Sequence, residues 1–544
     1  MPPPNADTIP AWIREAAARH GAREAFVHPA GRLRFAEAEA ESARLARGLL
    51  AAGVGKGARV GILLPNRPEW LVAFLAATRV GAVAVPLNTF FKTRELGWAL
   101  RHADVSVLLT ADRFLSHDYL SRLAEIAPGV AGCAAGAIRV PELPFLRGVW
   151  VSGEGDRSWT RGLEELAAAA DAEPAVDDAL LRTVEEEVAP SDPAVILYSS
   201  GSTADPKGAI HGHGTLLRHA GELAALRGLE PSDRIYSPMP FFWVGGLVFS
   251  LLSTLDAGAC ALCEDVFEPG HTLDLLERER ATIAIGWPHF GKALAEHPTR
   301  KSRDLSALRA GNLPEILPPE RVPEDPELRA TALGMTETCG PHTWGGEGAL
   351  PEALRGSFGR AFGGFEHKVV DPDSGETLPP GEPGEICVRG PRLMQGLHKV
   401  PRESVFDAEG YYHTGDGGFF DADGVLYFKG RLGDTIKTGG ANVSPGEVEA
   451  VLLAQPEVKA AHVVGVPDAD RGEIVAAAAV LEDGARVAEA ELAGRVAKEL
   501  AAYKVPRRVR FFASEGELPL TDSGKLDRRR LGALLAGGGD QGGG

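Results

Sequence analysis

The sequence predicts an α/β protein: a large N-terminal domain of βα-layered sheets with a small β-barrel-like part, followed by a small α+β domain. Three observations carry this. From residue 32 to about residue 290, short apolar segments alternate with helical stretches, the pattern of βαβ units and a parallel sheet. After Gly340 the helical periodicity gives way to short strands separated by Asp-, Pro- and Gly-rich turns, which is antiparallel chemistry. Beyond Gly430 a helix-start signature opens a unit of mixed strands and helices, about 110 residues long.

Taken in order, residues 32–35 read as a strand and 36–52 as a helix ended by Gly53. Residues 59–64 form a buried strand, and Asn66 is placed to cap a helix that runs to about Val80 and stops at Gly81. Strands at 82–86 and 105–110 flank a helix at 93–102. From 128 to 190, Gly, Pro and acidic residues dominate; this reads as connecting segments with one helix at 160–170, and Val184-Glu-Glu-Glu-Val188 as a solvated charge run. Residues 194–198 are a strand, and His211-Gly-His-Gly214 leads toward a helix at Thr215. A helix to about Leu255, a strand at 259–266, a helix at 272–280 and a strand at 283–285 continue the alternation. The antiparallel part has strands at 368–370, 385–388 and 425–428. In the last unit Ser444-Pro-Gly-Glu447 reads as a capping box with proline at the first helical position. Strands at 460–466 and 474–481 and a helix at 488–501 follow, then a Gly-rich tail, 536–544, expected to be disordered.

Composition narrows the class. The net charge of −18 argues against nucleic acid as a partner, because phosphate backbones select basic faces. No secretory signal and no apolar run of about 18 residues is seen, so nothing is expected to span a membrane. Five cysteines are an odd count, which fits free thiols in a reduced, cytoplasmic enzyme. Cys260 and Cys263 lack a second pair for zinc and are read as structural.

The chemistry starts at Tyr198-Ser-Ser-Gly-Ser-Thr-Ala-Asp-Pro-Lys-Gly208, a hydroxyl- and glycine-rich turn expected between a strand and a helix. Backbone N–H groups, the side chains of Ser199, Ser200, Ser202 and Thr203, and the charge of Lys207 suit phosphate. It is not a Walker A loop, since Pro206 replaces the second glycine and Gly208 the magnesium-binding hydroxyl. Four more stretches follow: Leu333-Gly-Met-Thr-Glu337; Tyr412-His-Thr-Gly-Asp416; Gly430-Arg-Leu-Gly-Asp434 running into Ile436-Lys-Thr-Gly-Gly440; and Leu518-Pro-Leu-Thr-Asp-Ser-Gly-Lys525. In this order and spacing, the five resemble the adenylate-forming (AMP-binding) superfamily, in its acyl-CoA synthetase (fatty-acid–CoA ligase) branch, over residues 53–531.

The resemblance implies a carboxylic acid, ATP and coenzyme A as substrates, with Mg2+. Adenylation gives acyl-adenylate and pyrophosphate; a thiol then gives the thioester and AMP. Residues Ser199, Ser200, Gly201, Ser202, Thr203 and Lys207 would hold the phosphates, Thr336 the α-phosphate, and Glu337, with Thr203, the magnesium. Gly311, Asn312, Leu333 and Gly334 would border adenine; Asp416 would bind ribose, and Arg431 would add a ribose or phosphate contact. Lys525, with Thr336 and Glu337, would be catalytic in the first step. Domain 1–430 would join a mobile domain, 435–535, through a hinge at 431–434 centred on Asp434. Rotation would bring up Lys437, Gly439 and Gly440 for the thioester step.

Ala204, Leu333, Asn312 and Trp243 depart from the common family text, the first three at the nucleotide site. Candidates for the acyl pocket are Phe242, Trp243, Gly245, Gly246, Trp287, His289 and Cys339. With no basic clamp evident, an apolar acid is expected: fatty, alicyclic or steroid-side-chain. A stand-alone adenylation enzyme loading a carrier protein, a luciferase-like oxygenase and a catalytically silent acyl or nucleotide binder are the competing readings. Peripheral membrane contact and a homodimer stay open.

Overall fold

The structure, a computed structural model, describes residues 6–153, 157–199, 206–318, 325–346, 348–432, 435–519 and 526–537. The chain divides into two compact units. One comprises residues 1–89, 97–198 and 208–430; the other comprises 90–96, 199–207 and 431–544.

The first unit holds two largely parallel sheets. In the larger, strands Arg59–Leu63, Val83–Pro86, Val107–Ala111, Gly148–Ser152, Thr160–Gly162 and Pro193–Ser199 pair in parallel, with Lys207–Gly212 and Gly396–Leu397 at one edge. In the smaller, Glu24–His28, Arg234–Tyr236, Cys260–Leu262, Ile283–Ala284 and Ala310–Gly311 run parallel, and Gly31–Arg34 closes the edge antiparallel. Helix Pro68–Arg79 is buried all round from Trp70 onward, which is how a helix enclosed by other layers reads in sequence. Strands Glu366–Val370, Gly384–Arg389, Tyr412–Phe420 and Leu426–Arg431 make an antiparallel sheet in that order.

Several local expectations are corrected. Segment 128–190 holds more than one helix: strand Gly148–Ser152 joins the large sheet, and helices Leu163–Ala168 and Asp178–Glu186 follow. The acidic run is not all solvated. Glu185 is buried and takes Arg79 Nε at 2.5 Å and the Arg14 guanidinium, while Arg79 Nη2 reaches Glu39 at 2.8 Å. An amphipathic pattern read one residue at a time hides such a pairing, because its partner lies 106 positions away. Asn66 caps no helix. Its amide donates to the Met239 carbonyl at 2.8 Å and accepts from Phe241 N–H at 3.0 Å.

In the second unit the long hairpin Val458–Asp468/Gly472–Leu481 is flanked by Arg508–Phe512, parallel to its second strand, and by hairpin Ile436–Thr438/Ala441–Val443. Strand 472–481 is buried on both faces. Val475, Ala477 and Ala479 pack with helices Pro445–Leu453 and Glu489–Glu499; Ile474, Ala476, Ala478 and Val480 pack with helix Arg528–Ala536. The capping box at Ser444 does not form. The Glu447 carboxylate instead meets the buried Lys504 ammonium at 2.7 Å.

Candidate active site

The Thr336–Glu337 pair sits on the tip of a tight hairpin. Strands Gly334–Met335 and Gly340–Pro341 pair antiparallel, and Cys339 N–H closes the turn on the Thr336 carbonyl at 3.1 Å. Cys339 takes φ 63° there. The Thr338 hydroxyl, fully buried, donates to the Gly340 carbonyl at 2.6 Å. Two bonds anchor the tip from outside: His211 Nε2 donates to the Thr336 carbonyl (2.8 Å), and Met394 N–H donates to the Glu337 carbonyl (2.8 Å). Glu337 is buried and Thr336 half-buried. Carboxylate oxygen is the donor type that Mg2+ takes, so Glu337 has the chemistry to hold that ion.

His211 belongs to a set of buried imidazoles. His342 Nδ1 lies 2.8 Å from His367 Nε2, and His219 stacks on Phe362 with ring centroids 5.6 Å apart. Burial pushes His211 and His367 down to about 4 and His219 to about 3, and holds His342 well below the usual imidazole value. All four are neutral at neutral pH. His211 therefore keeps its Nε2 proton for the Thr336 carbonyl.

Asp416 owes its position to a bulge. Residue Cys387 pairs with His413 and Glu385 with Gly417, so one strand advances two residues while the other advances four. The extra residues fall at 414–416, with Gly415 at φ 69°. A bulge of this kind re-aims a side chain beside a site. Glu385 Oε1 accepts from Gly415 N–H at 2.9 Å, the Thr414 hydroxyl donates to the Ile386 carbonyl at 2.6 Å, and Asp416 N–H donates to the Thr414 oxygen at 3.0 Å. Asp416 is buried. In sequence, T-G-D reads as a turn signal or a ligand motif; in the fold it interrupts a nine-residue strand, Tyr412–Phe420.

The phosphate loop also needs correction. It joins strand Pro193–Ser199 to strand Lys207–Gly212, and helix His213–Leu226 begins only after that second strand. No helix N-terminus directly follows the loop, so an anion bound there would rest on the loop itself and on Lys207. Ser199 ends the first strand and Lys207 opens the second; Ser200, Gly201, Ser202 and Thr203 lie outside the described residues.

At the expected adenine border, Gly311 has φ 138°, and a Cβ there would sit 2.0 Å from the Ala284 carbonyl oxygen, so glycine is required. Asn312 Oδ1 accepts from Gly286 N–H at 2.8 Å. Leu333 is buried with Ile386 and Leu426 in a core cluster, and Gly334 is exposed.

The acyl-pocket candidates converge. Trp243 lies edge-on to Phe242 (5.3 Å) and to Trp287 (6.2 Å), and Trp287 meets His289 (6.3 Å, stacked) and Phe290 (5.3 Å, edge-on). Trp243 and Trp287 are half-buried, so part of each ring stays outside the core, whereas Phe290 stacks face to face on Phe267 at 3.7 Å and packs against the core. Residues Gly245–Leu252 wind as a wide, π-helical segment, a form that recurs at functional sites. A Cβ at Gly246 would lie 2.0 Å from the Pro240 carbonyl oxygen. Cys339 is fully buried in the hairpin, with its thiol pushed up by burial. Asn66 is the residue that sequence reasoning misses here. It pins the 239–241 turn that carries the wall, and a polar side chain after a buried strand is the available signal.

In the second unit, Lys437 is exposed and pairs across the hairpin with Asn442. Gly439 (φ 55°) and Gly440 (φ 83°) are the two turn residues, both left-handed, as a type I′ turn demands. The Arg431 side chain, Asp434 and Lys525 lie outside the described residues.

These features define an adenylate-forming enzyme: a phosphate loop between strands, a Thr-Glu hairpin, a bulged aspartate and a separate α+β unit. The sequence matches the AMP-binding enzyme family over residues 13–398 and the AMP-binding enzyme C-terminal domain over 447–525, and the chain belongs to that family. A feruloyl-CoA synthase from an Amycolatopsis species is 35% identical, with 93% of this chain and 95% of the relative covered. A mitochondrial medium-chain acyl-CoA ligase of Bos taurus is 29% identical, with 94% and 84% covered. Among solved structures, a double mutant of the o-succinylbenzoate CoA synthetase of Bacillus subtilis superimposes with a TM-score of 0.73 at 27% identity, covering 96% of this chain and 97% of that one. Within the family the chain is an AMP-forming carboxylate–CoA ligase. No helix among the described residues is long and apolar enough to cross a membrane.

Proposed function

We propose that the acid is apolar and carries a ring. The observation that supports this is the wall of Trp243, Trp287 and Phe290, with His289 stacked at its edge. The half-buried rings of the two tryptophans offer edge-to-face and stacked contacts that an alkyl chain uses less fully, while Phe290, stacked on Phe267, backs them from the core. The names of the relatives span a ferulate enzyme and a medium-chain enzyme, so the choice rests on this wall.

In the reaction the carboxylate is itself the nucleophile toward the α-phosphate of ATP. The chain holds two anions together and offsets charge as it develops. The 199–207 loop and Lys207 hold the departing pyrophosphate. The Thr336 hydroxyl bonds the α-phosphate, while His211 and Met394 keep its hairpin in place. Glu337 would hold Mg2+, which would supply positive charge to the phosphates when bound. Asp416 accepts from the ribose hydroxyls, and Arg431, at the end of the neighbouring strand Leu426–Arg431, adds a ribose or phosphate contact. Lys525 bridges the carboxylate and the α-phosphate; at about 4 Å in a partly screened site a cation offsets a few kcal/mol of repulsion. A turn about the hinge at Asp434 then exchanges Lys525 for the 437–440 hairpin, and coenzyme A attacks the acyl-adenylate.

The test incubates the enzyme with ATP, Mg2+ and a panel of acids, with and without coenzyme A, and follows AMP and acyl-CoA. Aryl and alicyclic acids should form acyl-CoA, and amino acids and short diacids should not. Turnover of straight-chain acids alone would reject the ring preference. Adenylate that accumulates without using coenzyme A would point to carrier loading.

A further inference from the structure

The sheet that carries Asp416 presents a second cluster on the strand pair itself. Cys387 and His413 face each other across the pair, and Glu385, two residues from Cys387, lies on the same face. Cys387 Sγ is 3.5 Å from His413 Nδ1, and Glu385 Oε2 is 2.8 Å from the same nitrogen. The ligand atoms of all three lie within 4.8 Å of one another. Asp407 Oδ2 is 3.8 Å from the other imidazole nitrogen, Nε2, and is itself held by Lys368 Nζ at 2.7 Å.

The geometry points to a zinc(II)-binding site formed by Cys387, His413 and Glu385, with a fourth position open to water. Thiolate, imidazole and carboxylate are the donors zinc takes. A tetrahedral ion bound at ordinary lengths sets nitrogen and sulfur about 3.6 Å apart and nitrogen and oxygen about 3.3 Å apart. The first spacing is already present, and the second requires the carboxylate to retreat by about 0.5 Å. Asp407, at 3.8 Å, is beyond hydrogen-bond reach of the free imidazole nitrogen and adds only nearby negative charge. Access is from solvent, since the His413 side chain is 43% exposed while Cys387 is buried. Zinc entry replaces the Cys387 thiol proton with a metal–sulfur bond, and the proton leaves to buffer. The ion is distinct from the magnesium that accompanies ATP, which takes oxygen ligands only.

The test uses metal alone, without nucleotide or acid. The dialysed full-length protein is titrated with zinc against a chelating dye, and with cobalt(II) for a thiolate-to-metal charge-transfer band. One equivalent should bind, the cobalt band should appear, and zinc should raise the melting temperature. Cys387→Ser should abolish the band. His413→Gln, at an exposed side chain that leaves the fold intact, should weaken zinc binding about tenfold or more. Absence of stoichiometric binding would overturn the assignment. So would one equivalent that persists in both variants, or cobalt binding without the thiolate band.

Discussion

At the level of single residues, the site is built on groups held in one protonation state by burial. His211, His219, His342 and His367 all titrate below the ordinary imidazole value, and the leading cause in each case is loss of solvent. The consequence for stability has a definite sign. The unfolded chain protonates these rings near pH 6.5, the folded chain only near 4 or lower. Between those values the unfolded state binds more protons, so folding stability is present above about pH 6.5 and is lost as pH falls toward 4. Lowering a pKa by one on folding is worth about 1.4 kcal/mol. Thermal melts from neutral pH downward should show a steep drop in melting temperature across this window. His211→Gln, which keeps an N–H donor and does not titrate, should flatten part of it. A melting temperature constant down to about pH 5 would show that these rings are not buried neutral.

Among the elements, helix Asp178–Glu186 shows how a segment that looks solvated is tied into the core. Glu185 carries the buried Arg79 and also binds Arg14. Glu185→Ala leaves Arg79 buried with Glu39 and the Ser42 hydroxyl, without its buried carboxylate partner, and breaking a buried pair in this way costs about 3–5 kcal/mol. A urea or thermal midpoint should fall accordingly, while Glu186→Ala, at an exposed position on the same helix, should change little.

The alternating βα pattern is legible in the sequence because each strand is a short apolar run and each helix a periodic one. What is not legible depends on distant partners. The Asn66 amide serves a turn more than 170 positions away, and Glu447 prefers a buried lysine 57 positions on to its own helix cap. The 414–416 bulge exists only against its partner strand. The Tyr198–Gly208 motif is recognisable as a loop after a strand, but the strand that follows it carries a lysine, a histidine and two glycines and gives little apolar signal.

For the whole molecule, a two-unit chain is proposed to run two half-reactions with different lysine-bearing loops. Lys525→Ala should abolish adenylation, read as pyrophosphate release dependent on the acid. The same variant should still convert supplied acyl-adenylate and coenzyme A to thioester at close to the wild-type rate. Equal loss of both steps would argue that Lys525 acts on the fold or in both reactions.

The preference for a ring-bearing acid is tested most directly at Trp243. The measurement is kcat/KM for an aryl acid and for a straight-chain acid of equal carbon number, in the wild type and in Trp243→Leu. Removing an aromatic partner worth about 1–1.5 kcal/mol should lower the aryl-to-alkyl ratio about tenfold, with the KM for ATP unchanged. A ratio that stays constant, or an equal loss for both acids, would contradict the assignment of this wall to the acid.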